Sequence, residues 1–238
     1  MPISKLLIHW TGKDKIEEKR KKGFSEDWLV NEYADRLKDY YRRGLFARRK
    51  KEVEVLPGVS INNLVRICFS EIRLSQAKDH AARYGALGIG FSRDFIASKG
   101  GQRVIYIPYE PEGGLVERDI KSAWKESRGI PTVQASLKWM LAFCKPMSNG
   151  QPEDSADYVD NYEEMEWRLV YRENSDPGGV FSNPQRFIHR VEFNAENVKL
   201  IVFPDDKVRR RTLEDAEMAP FFNAHQPDLV LLEDCIHF

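Results

Sequence analysis

The sequence predicts an α+β fold with a mixed, largely antiparallel sheet and flanking helices. Short apolar segments of strand length intermingle with helical segments, and they lack the regular alternation that is typical of parallel βαβ units. A four-residue apolar periodicity from Glu26 to Phe46 predicts a long helix. Ile67–Ile107 reads instead as strand, polar loop, helix, strand, helix and strand, with small and polar residues at the joints.

Apolar patterns, turn residues and capping residues define the individual elements. Strands are predicted at Leu6–Trp10, Val65–Ser70, Leu87–Phe91, Arg103–Tyr109, Met165–Tyr171, Phe187–Phe193, Leu200–Phe203 and Asp228–Leu232. Helices are predicted at 13–21, 26–46, 75–84, 92–100, 133–144 and 213–222, with Ser75, Ser92 and Thr132 as N-caps.

Length and composition favour a single domain over residues 1–238. A chain of this length with 42% hydrophobic residues can bury one sizeable core. We expect a helical insertion at about 25–60 and a mobile polar loop at about 146–160. Because no apolar run reaches the length of a membrane span or a secretory signal, we expect a cytoplasmic protein without membrane contact.

The charge is unevenly distributed although the net charge is zero. Residues 1–51 carry 15 Lys and Arg against 8 Asp and Glu, whereas residues 151–180 carry 2 against 9. The basic residues within 42–51 could therefore contact nucleic acid, and the alternative is that they form a solvated surface. The three cysteines lack a CxxC pattern, so the sequence predicts neither a zinc site nor a disulfide scaffold.

A His-x-Thr motif, His9-Trp10-Thr11, ends the first predicted strand. It resembles the opening motif of the ADP-ribosyltransferase superfamily, and the resemblance implies that His9 and Thr11 bind the ribose and the nicotinamide amide of NAD. An imidazole and a short hydroxyl suit hydrogen bonding to a sugar and an amide. The alternative is a purely structural histidine at a strand end.

A second motif runs from Cys68-Phe69-Ser70 through Ser75 to Tyr84. By the same resemblance, Ser75 would bind the carboxamide and an aromatic ring would stack on nicotinamide. Tyr84 and His80 are equal candidates for that ring. The alternative is that Ser75 is a helix cap and that Tyr84 lies at the edge of the core.

A third motif, Glu163-Glu164-Met165-Glu166-Trp167-Arg168, precedes an apolar strand. In the ADP-ribosyltransferase superfamily this motif supplies the catalytic glutamate, which stabilises the sugar cation in the transition state. We expect Glu166 in that role, with Glu164 as the substitute. Arg168 is expected on the same face as Glu166. The alternative is an exposed acidic loop with a structural Glu166–Arg168 ion pair.

The pattern CFSE-x-x-LS-x-x-x-x-H-x-x-x-YG-x-x-GIGFS, followed by Arg103–Tyr106, is similar to the AbiGi family of AbiG abortive phage-resistance systems. This resemblance implies a role in phage defence as an antitoxin, with a cognate toxin or antitoxin protein as partner.

Two functions follow from these resemblances. The first is an NAD-dependent ADP-ribosyltransferase that modifies a protein or nucleic-acid acceptor. Its catalytic residues would be Glu166 and His9, and its cofactor would be bound by His9, Thr11, Ser75 and Tyr84 or His80. The second is a non-enzymatic antitoxin that binds a partner protein.

Overall fold

The computed structural model describes residues 6–13, 16–108, 114–148, 160–171, 181–182 and 189–237. The strands are β1 (Leu6–Thr11), β2 (Leu45–Leu56), β3 (Val59–Ser70), β4 (Leu87–Ser92), β5 (Gln102–Arg103), β6 (Ile105–Ile107), β7 (Cys144–Pro146), β8 (Glu166–Val170), β9 (Phe181–Ser182), β10 (His189–Val191), β11 (Val198–Phe203) and β12 (Asp228–Leu231). The helices are α1 (Ile16–Lys21), α2 (Glu26–Arg43), α3 (Ala77–Tyr84), α4 (Arg93–Ser98), α5 (Leu115–Glu126), α6 (Pro131–Leu141), α7 (Asp206–Leu213) and α8 (Ala219–Ala224).

A large, mostly antiparallel sheet organises the described part of the chain. Its strand order is β12-β11-β4-β1-β3-β2-β10-β9. Strand β8 pairs with β3 along the edge opposite β1 and β2, and it also pairs with β5. Only the β11–β12 pair in this sheet is parallel, and a second small sheet consists of the parallel pair β6–β7. The predicted α+β class with a mixed, largely antiparallel sheet is confirmed.

The two faces of the sheet bury different sets of side chains. Leu7 and Phe69 lie on the face that α2 covers, together with residues of α4, α7 and α8. We call this side the α2 face. Ile8 and Trp10 lie on the opposite side, packed against α3 and the C-terminal 3-10 turn at Asp234–His237. We call that side the α3 face.

Helix α2 is the long helix that the periodicity predicted. Its N-terminus is capped by Ser25, whose Oγ accepts a hydrogen bond from the Trp28 backbone N–H at 3.3 Å. The helix ends at Arg43, earlier than predicted, because Gly44 adopts φ +82° and turns the chain directly into β2.

The basic residues from 45 to 51 lie in the strand β2. This corrects the predicted helical insertion at about 25–60. Only 26–43 is helical there, and β2 and β3 form a long antiparallel hairpin around Pro57-Gly58. Arg49, Lys50 and Lys51 remain exposed, so their charges stay hydrated within the strand. Strand pairing with β3 from Arg48 to Leu56 outweighs the low β-propensity of these residues.

Several other boundaries differ from the prediction. Helix α3 begins at Ala77, so Ser75 lies in a preceding 3-10 turn and does not cap it, and α6 has Pro131 rather than Thr132 at its start. Helix α5 was not predicted at all. The Ser92 cap of α4 is confirmed, since Ser92 Oγ accepts a hydrogen bond from Phe95 N at 3.2 Å.

Two further predictions concern the whole chain. Most of the predicted mobile loop, residues 149–159, lies outside the described residues, and the assignment of 1–238 to one domain stays a prediction. In the described ranges, no helix combines the length and apolarity needed to cross a bilayer.

Gly44 and Gly58 provide a matched test of the turn that ends α2. Both have positive φ, but a Cβ on Gly44 would lie 2.4 Å from the Val191 carbonyl oxygen, whereas a Cβ on Gly58 would meet nothing within 4 Å. We expect Gly44→Ala to lower the free energy of unfolding by at least about 2 kcal/mol more than Gly58→Ala, because only Gly44→Ala adds overpacking to backbone strain. Urea unfolding measures the difference, and equal losses would contradict this account.

Candidate functional site

The strands that carry the three sequence motifs lie side by side. Ile8 of β1 pairs with Ser70 of β3, and Ser70 pairs on its other side with Glu166 of β8. Residues directly opposite each other in antiparallel strands point to the same face. Ile8, Ser70 and Glu166 therefore form one row across the α3 face.

His9 points to the other side of the sheet. It is one residue from Ile8, and its ring contacts Tyr40 of α2 and Phe69, each with a centroid distance of 5.8 Å. Its Nδ1 donates a hydrogen bond to the Cys68 carbonyl oxygen at 2.9 Å, which orients the ring. The sheet thus separates the imidazole of His9 from the carboxylate of Glu166.

Thr11 lies on the α2 face with His9. Its Oγ1 lies 3.0 Å from the Tyr40 hydroxyl and accepts a hydrogen bond from Arg36 Nη1 at 2.9 Å. Both partners belong to α2, so the hydroxyl joins the helix to the sheet. Because Thr11 is buried, this contact is part of the interior.

Glu166 is a buried carboxylate that forms an ion pair with Arg168. Arg168 Nε donates to Glu166 Oε1 at 2.7 Å and Nη2 donates to Oε2 at 3.1 Å. Arg168 Nη1 donates to the carbonyl oxygens of Ala142 and Cys144, which lie at and just after the end of α6. The predicted Glu166–Arg168 pair is confirmed, and both side chains are almost fully buried.

Lys145 extends the ion pair into a larger network. Its Nζ lies 2.6 Å from Glu164 Oε2 and 3.3 Å from Glu166 Oε2. Glu164 Oε1 accepts a hydrogen bond from the Tyr84 hydroxyl at 2.5 Å. Glu164, Glu166, Lys145, Arg168 and Tyr84 therefore form one connected set, which we call the carboxylate network.

A left-handed residue separates the two carboxylates of this network. Met165 has φ 42° and ψ 50°, which is unusual for a residue with a side chain. It ends the 3-10 turn at Tyr162–Glu164 and starts β8. Both glutamates that flank it contact the same cation, Lys145.

The electrostatics of the network favour an ionised Glu166 and neutral phenols. Burial opposes ionisation of Glu166, but the Arg168 guanidinium outweighs it and holds the pKa of that carboxyl well below its usual range. Burial, and then the nearby Glu164 carboxylate, raises the pKa of the Tyr84 phenol. Burial also raises the pKa of Tyr106, whose hydroxyl oxygen accepts a hydrogen bond from Glu166 N at 2.7 Å.

His80 and Ser75 differ in accessibility. His80 is buried on α3, with its ring 6.1 Å from that of Tyr84, and burial lowers its pKa to about 4. It is therefore neutral at physiological pH. Ser75 is exposed in the 3-10 turn before α3.

The six predicted site residues do not form a common NAD cradle in this conformation. Glu166, Tyr84 and His80 lie on or near the carboxylate network, whereas the polar atoms of His9 and Thr11 contact the protein itself on the α2 face. The roles assigned to these residues stay predictions.

Sequence reasoning missed Lys145 and Tyr106, which hold Glu164 and Glu166. Lys145 follows Cys144 in an unremarkable stretch, and Tyr106 lies in the short run Ile105–Ile107. The excess of carboxylates at 163–166 was the available signal, because buried glutamates require cationic or donor partners. The identity of those partners depends on where β7 lies.

The three cysteines are buried or partly buried thiols, and the described residues contain no cluster of potential metal ligands. Burial raises the pKa of the Cys68 thiol to about 11 and also raises those of Cys144 and Cys235, so all three are protonated at neutral pH. Among the described residues, no three His, Cys, Asp or Glu side chains are grouped closely enough to bind a metal ion.

Comparisons with known proteins point to a family. The model of the family described as "Putative abortive phage resistance protein AbiGi, antitoxin" matches residues 37–204, which is most of the chain. This match confirms the AbiGi resemblance read from the sequence. The chain is also similar to the solved structure "Thermus sp. 2.9 DarT in complex with NAD+", with 14% identity, coverage of 98% of each chain and a TM-score of 0.38. A search among curated proteins found no match.

The buried ion pair predicts a specific pH dependence of stability. The folded-state pKa of Glu166 lies below its ordinary value of 4.5, so the ionised group stabilises the protein above that value and loses this contribution as the pH falls below it. At about pH 7 we expect Glu166→Gln to cost about 3 kcal/mol of unfolding free energy, because Arg168 stays buried and charged.

The difference between wild type and Glu166→Gln is expected to shrink as the pH is lowered from about 5 to about 3. Urea unfolding of both proteins across this pH range measures the difference in unfolding free energy. The control is Glu52→Gln, an exposed carboxylate of β2, which is expected to change stability by less than about 0.5 kcal/mol. A pH-independent difference for Glu166→Gln would contradict the pairing.

Proposed function

Because the chain belongs to the AbiGi family of abortive phage-resistance proteins, we propose that it acts as a partner-binding antitoxin of a phage-defence system. Its task would be to hold a cognate toxin protein. The single observation that supports this proposal best is the commitment of Glu166 to Arg168 and Lys145. A buried carboxylate already held by two cations is poorly placed to meet a developing sugar cation.

An exposed apolar row on α6 provides a surface for such a partner. Ile130, Val133, Leu137 and Met140 follow one another at spacings of three, four and three residues, so they share one side of the helix. In the described part of the chain, Ile130 is 52% exposed, Val133 44% and Met140 46%. Leu137 is half-buried between them. An apolar row with three exposed members is typical of protein interaction sites. We call it the α6 stripe.

The toxin-binding proposal is tested by co-expression with the product of the neighbouring gene. We expect a complex that co-purifies, and Met140→Glu is expected to weaken it at least about tenfold because a charge would be buried in an apolar contact. The matched control is Ala135→Glu, which adds the same charge to an exposed position on the opposite side of α6. Affinities are measured by titration calorimetry.

The same co-expression distinguishes a toxin from an antitoxin. An antitoxin rescues cells from growth arrest by its partner, whereas expression of a toxin alone arrests growth. Absence of a complex, or equal binding by both α6 variants, would contradict the proposed interface.

A second candidate function is an NAD-dependent ADP-ribosyltransferase. The observation that favours it is that the three strands carrying the motifs, β1, β3 and β8, are neighbours in the sheet. Ile8, Ser70 and Glu166 therefore lie next to one another on one face. In this proposal Glu166 and His9 are catalytic, and Thr11, Ser75 and Tyr84 or His80 contact NAD. An acceptor nucleic acid would contact the basic residues within 42–51.

The second candidate requires His9 and Glu166 to reach one cleft. It therefore depends on a rearrangement that frees Glu166 from Arg168 and turns His9 away from Cys68. NAD binding with release of nicotinamide would support it. Partner binding without NAD turnover would support the antitoxin.

We expect purified protein to release no nicotinamide from NAD. The reason is that the carboxylate and the imidazole lie on opposite faces of the sheet. Chromatographic detection of nicotinamide checks this, with wild type compared to Glu166→Gln and with Glu52→Gln as a matched carboxylate control. Turnover by wild type and Glu52→Gln that falls about a hundredfold or more in Glu166→Gln would overturn the expectation and establish the enzyme.

A further inference from the structure

A cavity of about 320 Å³ opens between the end of β2 and the strand β7. The β2–β3 hairpin contributes an apolar wall that includes Val53, Leu56 and Pro57, and Pro146 lies on the β7 side. Three cationic side chains, Arg66, Lys145 and Arg168, also line the cavity. Its volume is in the range of sites for small ligands.

Arg66 is the cation with unused hydrogen-bonding capacity. Its Nη1 is buried, and among the described residues it has no hydrogen-bond partner. A buried guanidinium nitrogen without an acceptor is costly, and native proteins rarely leave one unsatisfied. Arg66 pairs across the sheet with Val170 of β8, so the rigid sheet holds its backbone in place.

The two other cations are already held by the carboxylate network. Arg168 donates to Glu166 and to two backbone carbonyl oxygens, and Lys145 lies between Glu164 and Glu166. Two of the three cations are thus matched by the two network carboxylates, and the exposed Glu54 is a third carboxylate beside the cavity. The case for an anionic ligand therefore rests on the unpartnered Nη1 of Arg66 and not on net charge. The third proton of the Lys145 ammonium remains available to a ligand, because an ammonium group carries three donors.

One acidic residue, Glu54, also lines the cavity. Its side chain is exposed, and its Oε1 accepts a hydrogen bond from Gly58 N at 2.9 Å. The carboxylate is therefore engaged with the hairpin turn and hydrated. It reduces the positive potential of the cavity, but it does not supply an acceptor for Arg66.

We propose that this cavity binds a small phosphate monoester. Arg66 would be the primary anchor, because the planar guanidinium donates two parallel hydrogen bonds to phosphate oxygens. Lys145 would add a second contact. The apolar wall of the hairpin would take the organic group of the ester. A phosphate is favoured over a carboxylate because it carries up to two negative charges and presents three acceptor oxygens to two separate donors.

Titration calorimetry with phenyl phosphate, inorganic phosphate and acetate tests the proposal on the full chain. Phenyl phosphate is expected to bind with a dissociation constant below about 1 mM, inorganic phosphate more weakly, and acetate weakest, since only the ester uses both the cations and the apolar wall. Binding is expected to weaken as salt is added, because charge attraction contributes to it.

Substitutions at Arg66 identify the anchor. Arg66→Gln is expected to weaken phenyl phosphate binding at least about tenfold. Arg66→Lys is expected to weaken it by a smaller factor, because it keeps the charge but loses the two parallel N–H donors of the guanidinium. The control Lys125→Gln removes an exposed cation of α5 that does not line the cavity, and it is expected to leave binding unchanged. Circular dichroism confirms that each variant is folded.

The proposal is overturned if wild type binds no phosphate compound, if acetate binds as tightly as phenyl phosphate, or if Arg66→Gln and Lys125→Gln lose affinity equally. These outcomes do not affect the toxin-binding proposal, because neither NAD nor a partner protein is used as a probe.

Discussion

The ion pair between Glu166 and Arg168 is the constraint on which this end of the structure depends. Arg168 donates hydrogen bonds to the carbonyl oxygens of Ala142 and Cys144, so one side chain connects β8 of the large sheet to the segment that joins α6 and β7. A buried pair of this kind contributes little net stability over an apolar alternative, but losing one partner leaves an uncompensated charge. The pair therefore specifies how β8, α6 and β7 fit together.

The same pair shapes what this protein can do chemically. Glutamates at the start of a strand are attractive as catalysts, and Glu166 occupies such a position next to β3. Its carboxylate is nevertheless surrounded by Arg168 and Lys145, and its strongly lowered pKa reflects that environment. Membership of the AbiGi family is consistent with a protein that acts by binding a partner.

The sheet divides the polar side chains into two separate groups. On the α2 face, Arg36 and Tyr40 engage Thr11, and the sheet stands between them and the carboxylate network. On the α3 face, the network borders the cavity that Arg66 enters. Lys145 and Arg168 belong to both the network and the cavity lining, so occupancy of the cavity by an anion would act on the same cations that hold Glu166. In the proposed site, this shared use would couple ligand binding to the packing of β8.

The sequence by itself determined the fold class, most strands, most of α2, and the Glu166–Arg168 pair, because these follow from local periodicity and from the two-residue repeat of a strand. The Ser25 cap of α2 was seen only in the structure. It did not reveal that 45–56 is a strand, since its charged residues gain stability only from pairing with β3. Tertiary structure alone decided that His9 and Glu166 face opposite sides and that Lys145 meets Glu166. The first depends on strand register, because a shift of one residue reverses every side chain. The second depends on where β7 lies relative to β8.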